Sequence, residues 1–72
     1  MSNSTNLAEA VVLLRETRYN LLIANLHITA AATRLTGARQ SRSRELGEKI
    51  ADCLAFAERL QFIVYGDWRA EQ

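Results

Sequence analysis

Proline is missing from all 72 residues, and glycine occurs only at positions 37, 47 and 66. Without proline nothing breaks a helix from within, so long helices are expected wherever apolar periodicity persists. Cysteine is limited to Cys53 and histidine to His27. That excludes an intramolecular disulfide and leaves no ligand set for zinc. A large excess of one charge is lacking too, the formal net charge being +1. The longest stretch without Lys, Arg, Asp or Glu, Tyr19 to Thr33, holds Asn20, Asn25 and His27. It falls short of the roughly 20 apolar residues that a membrane span needs. Residues Met1 to Asn6 show no basic segment leading into an apolar one, so no secretory signal and a soluble, cytoplasmic product are expected, with no membrane partner.

A chain of this size rarely buries enough surface to stand alone without disulfides, metal or a partner. With the first two excluded, oligomerisation is the expected remedy.

Gly37 lies at mid-chain and divides it into two helical halves. Asn6, followed three residues later by Glu9, reads as a capping-box start, and helix 1 is expected from about Asn6 to about Thr36. Gly37 suits the left-handed conformation that closes a helix, with Arg34 favourable in the last turn. The turn is expected at 37–41. Helix 2 then runs from about Arg42 to Gly66, capped by Ser41 or Ser43, with Glu45 and Glu48 near its positive end.

Leu7, Leu14, Leu21, Ile28 and Leu35 recur at intervals of seven, with Ala10, Thr17, Ala24 and Ala31 three residues after the first four. Leu46, Ile50, Cys53, Ala57, Leu60 and Val64 alternate steps of four and three. Both patterns read as coiled-coil seams. A short connection makes the helices antiparallel neighbours, so the fold class is all-α, an antiparallel two-helix hairpin. Val11, Leu22, Ile23, Leu54, Phe56 and Ile63 lie off these seams and call for a partner surface. A second copy supplies it most simply, giving a homodimeric four-helix bundle whose dimer and core residues include Leu7, Leu14, Leu21, Ile28, Leu46, Ile50 and Leu60.

Ala55, Glu58, Phe62, Tyr65 and Arg69 fall on one stripe away from the seam, with Trp68 close behind. Aromatics and arginine are the usual material of interface hot spots, so Phe62, Tyr65, Trp68 and Arg69 are the candidate partner-binding residues. Coverage of the same stripe by the dimer interface is the alternative. Arg34, Arg39, Arg42 and Arg44 form a basic patch within eleven acid-free residues. Arginine clusters suit phosphates and acidic protein surfaces, while a solvated loop is the plainer explanation. Asn25 and His27 are assigned structural roles at the helix 1 seam, and Cys53 that of a small buried hydrophobe. Catalytic triads, paired acid and base carboxylates, phosphate-cradling glycine loops and metal-ligand spacings are missing, so no enzyme, cofactor or metal is expected.

Thr29 to Leu46 loosely resembles a DNA-reading helix-turn-helix, but Thr33 stands where that motif carries alanine and Ser43 where it carries an apolar residue. The two seams resemble those of the plasmid-encoded Rop type of hairpin dimer, which binds paired RNA loops. Tyr19 to Thr33 departs from that type in having no Lys or Arg to meet phosphates. In size, alanine- and arginine-rich composition and outward aromatic stripe, the chain is similar to small phage-encoded proteins that take over host machinery, of the quorum-sensing anti-activator or anti-CRISPR kind. That resemblance implies a non-enzymatic homodimer that binds and inhibits or retargets a host protein. The alternatives are a nucleic-acid-binding module using the arginine-rich turn and a structural subunit that packs on a long helix of a larger assembly.

Overall fold

The computed structural model describes residues 2–72, with side chains from residue 4 onward. It is all-helical: α1 (Ser2–Thr33) and α2 (Gly37–Ala70) are joined by residues 34–36 and pack against each other as an antiparallel hairpin. The Gln40 side-chain amide donates to the Ala32 carbonyl at 2.8 Å beside the connection. At the other end the Gln72 amide reaches the Ser4 hydroxyl at 3.3 Å.

The helix ends differ from the sequence expectation in a way the hydrogen bonds explain. Helix α1 stops at Thr33, because Arg34 N–H and Leu35 N–H tighten onto the Ala31 and Ala32 carbonyls at 3.0 and 3.3 Å. The Thr33 hydroxyl and the Arg34 guanidinium both donate to the Ala30 carbonyl, at 2.7 and 2.8 Å. These contacts satisfy carbonyls that a helix end leaves orphaned. Gly37 does adopt a left-handed φ of 64°, yet it opens α2 instead of closing α1. The turn is therefore 34–36 and not 37–41. Thr36, extended at φ −135° and ψ 163°, is the N-cap in place of Ser41 or Ser43, and it makes no side-chain capping bond. Asn6 is inside α1 and caps nothing at its start. Gly66 is passed without a break, so α2 continues to Ala70.

Which residues meet across the hairpin is the larger correction. The half-buried or buried residues of α1 include Leu7, Ala10, Val11, Leu14, Leu21, Ala24, Asn25, Ile28, Ala31 and Ala32, with Leu35 following in the connection; those of α2 are Gln40, Ser43, Gly47, Ile50, Leu54, Ala57, Gln61, Val64 and Trp68. Both keep the heptad rhythm. On α1 the expected column of leucines and Ile28 is present, flanked on one side by Val11, Asn25 and Ala32 and on the other by the expected Ala10, Ala24 and Ala31, which are half-buried, while Thr17 is exposed. On α2, Ile50, Ala57 and Val64 are shared with expectation, while Gly47, Leu54, Gln61 and Trp68 replace Leu46, Cys53 and Leu60. Val11 and Leu54 thus belong to the hairpin seam. Cys53 is exposed and not buried.

Close approach at Gly47 sets this rotation. A methyl group there would meet Ile28 Cγ2 at 3.4 Å, and the Gly47 carbonyl accepts a hydrogen bond from Asn25 Nδ2 at 3.2 Å. Asn25 therefore makes an interhelical hydrogen bond, one of the structural roles its place in the sequence suggests.

Candidate functional site

Two lateral sides are left once the seam is closed. On the first, Thr29 and Thr33 of α1 line a groove with Arg44, Glu48 and Ala51 of α2. Farther from the turn, Arg15, Tyr19 and Leu22 line another with Leu54 and Glu58, where Arg18 and Glu58 approach to 4.0 Å. A helix turns 100° per residue, so residues on the opposite flank of each seam share the second side. Those are Ala10, Thr17, Ala24 and Ala31 of α1 with Arg39, Leu46, Cys53, Leu60 and Asp67 of α2. Of the expected seams, Ala10, Ala24 and Ala31 are half-buried at the edge of the hairpin, while Thr17, Leu46, Cys53 and Leu60 are exposed on this second side.

The candidate partner-binding residues separate accordingly. Phe62 is 79% exposed, and Tyr65 and Arg69 are exposed beside it on the first side. Trp68 instead occupies the last described position of the α2 seam and is half-buried. These side chains touch one another: the Tyr65 and Trp68 rings pack in a tilted arrangement with centroids 5.7 Å apart at 49°. The Arg69 guanidinium lies 5.9 Å from the Tyr65 ring centre and donates to its hydroxyl at 3.2 Å. Sequence reasoning missed the α1 contribution to this side, where Val12, Tyr19 and Leu26 are exposed. The signal was available, since these three recur at intervals of seven.

Of the basic patch, Arg34 and Arg39 line one shallow groove at the connection, whereas Arg44 belongs to the groove on the first side. Arg39, Arg42 and Arg44 sit on the opening turns of α2, not in a loop. The four guanidinium groups are thus divided between the two sides. Leu7, Leu14, Leu21, Ile28 and Ile50 are half-buried in the seam, while Leu46 and Leu60 remain 48% and 39% exposed on the second side.

Among the described residues, no group of three or more His, Cys, Asp or Glu side chains could hold a metal, and no helix is long and apolar enough to cross a membrane. His27 and Cys53 are both exposed, on different helices. The arrangement offers apolar contact surfaces, flanked by charge. No protein-family model, characterised protein or solved structure matches the chain.

Proposed function

We propose that this chain is a non-enzymatic homodimer, two hairpins forming a four-helix bundle, that acts by binding another protein and blocking or redirecting it. One observation carries the reading: the hairpin has almost no core of its own. Only Ala32 and Ala57 are buried among the described residues, whereas eleven large apolar side chains are exposed. The accessible surface is 5518 Å², against about 4500 Å² for a compact monomer of 8.1 kDa. The radius of gyration is 16.3 Å, where about 11 Å is usual for this length.

Apolar exposure on both sides supports two kinds of contact. One side serves the second copy. The other, with Tyr19, Leu22, Phe62, Tyr65 and Arg69, carries the aromatic and arginine side chains that dominate protein interfaces. A phosphate backbone is less well served, because the arginines do not form one continuous stripe. Host-directed action is the form of this proposal that size and composition suggest.

The test pairs light scattering with partner capture. The purified chain is expected at dimer mass. Phe62→Ala and Tyr65→Ala are expected to keep that mass and to reduce capture of the protein retained by the unaltered chain at least tenfold, as loss of a hot spot does. Capture unchanged by both substitutions would remove the first side from the proposal.

A further inference from the structure

The second side of the hairpin has an internal symmetry that specifies its occupant. Its α2 column reads Arg39, Leu46, Cys53, Leu60, Asp67, one residue every seven. Read in reverse it has the same layout with the charges exchanged: a charged end, a leucine, the cysteine, a leucine, and the opposite charge. An α2 helix laid antiparallel on an identical one would set Arg39 opposite Asp67, Leu46 opposite Leu60, and Cys53 against its own copy. The α1 column behaves alike, Ala10 facing Ala31 and Thr17 facing Ala24.

Both columns have their midpoint at the same height on the hairpin. Column α2 is centred on Cys53, and column α1 lies between Asn20 and Leu21. Cross-hairpin contacts run Asn25 to Gly47, Arg18 to Glu58 and Ala32 to Gln40, which brings Leu21 level with the neighbourhood of Cys53. A single two-fold axis perpendicular to the helices therefore satisfies both columns together. Charge points the same way. Arg39 and Arg42 lie on the first turns of α2, at the turn end of this side, and Asp67 is at the open end. Placing both turns at one end would gather four arginines; placing them at opposite ends brings Arg39 to Asp67 twice.

From these observations we infer that the second side is the site of a second copy of this chain, docked with its turn at the opposite end. Resting on the dimer proposed above, the inference adds the face and the orientation. It also assigns the first side to the foreign partner, since one copy cannot cover both.

A charge swap tests the orientation. Arg39 and Asp67 lie near opposite ends of one hairpin and cannot pair within it. Arg39→Asp and Asp67→Arg are each expected to weaken the dimer roughly three- to tenfold, and the double variant to recover most of the loss, as interacting charges do. Leu60→Asp should raise the protein concentration needed both for dimer mass and for full helicity, while Leu22→Asp should leave both unchanged. A spin label at Ser41→Cys in a Cys53→Ser background should report copies separated by about 36 Å along the bundle, from twelve residues at 1.5 Å on each side of the axis. Monomer mass for the unaltered chain overturns the inference. So do additive charge reversals with labels close together, which mean turns at one end, or a dimer that yields to Leu22→Asp and not to Leu60→Asp. All these measurements use the purified chain alone, so they stand apart from partner capture.

Discussion

Asn25 and Gln40 tie the helices together by donating to backbone carbonyls across the seam, at Gly47 and Ala32. Because both acceptors also serve helix ends or helix turns, their loss weakens the hairpin without leaving a buried charge. Asn25→Ala is expected to lower unfolding free energy by about 0.5–1.5 kcal/mol, the usual net worth of such a bond. Urea titration with circular dichroism checks it, and a change below the error of the titration would show that Gly47 alone sets the register. Gly37 poses a conformational demand of a different kind. Its φ of 64° costs a residue with a Cβ about 1–2 kcal/mol. Gly37→Ala should destabilise by that amount, and Gly37→Asn by less, since asparagine tolerates the left-handed region.

At the scale of the elements, α1 and α2 were legible as helices from the missing proline and the recurring apolar residues, and Gly37 marked where they part. The rotation of each helix about its axis was not. Each carries three adjacent heptad columns, not two, and the middle one, Leu7 to Leu35 on α1 and Ile50 to Val64 on α2, fits a seam on either flank. Hydropathy favours the flank with Leu46, Cys53 and Leu60 over the flank with Gly47, Gln61 and Trp68. The hairpin takes the less apolar flank because Gly47 admits Ile28 closely and Asn25 bonds there, effects that depend on space and geometry. Trp68 was misplaced with the outward aromatics for the same reason. The glycines of α2 show the distinction experimentally. Gly66 has open space around it, so Gly66→Ala should raise stability by about 0.8–1 kcal/mol through helix propensity. At Gly47 an alanine methyl would just touch Ile28 at 3.4 Å, whereas a larger side chain such as leucine would have to displace it and should cost about 1–3 kcal/mol. A thermal melt of the three variants at one concentration separates these cases.

For the whole molecule, stability and assembly are expected to be one quantity. A hairpin 54 Å long and 14 Å by 12 Å across has nearly all of its side chains at a surface, so in the proposed dimer the second copy provides most of the burial. Folding linked to association makes the midpoint of melting rise with protein concentration. The expected observation is a steady upward shift over a hundredfold dilution series followed by circular dichroism. A midpoint independent of concentration would mean that the single hairpin is self-sufficient.

The near-absence of buried residues then has a consequence for dosage. In the proposed dimer, where burial comes from another copy of the same chain, the folded fraction depends on how many copies a cell holds. Below the dissociation constant the chain is open to proteases, and above it the chain is protected, since degradation follows the population of the open form. Such a protein has a built-in threshold: slow synthesis yields little active material, while a burst carries the population past the dissociation constant and lets it persist.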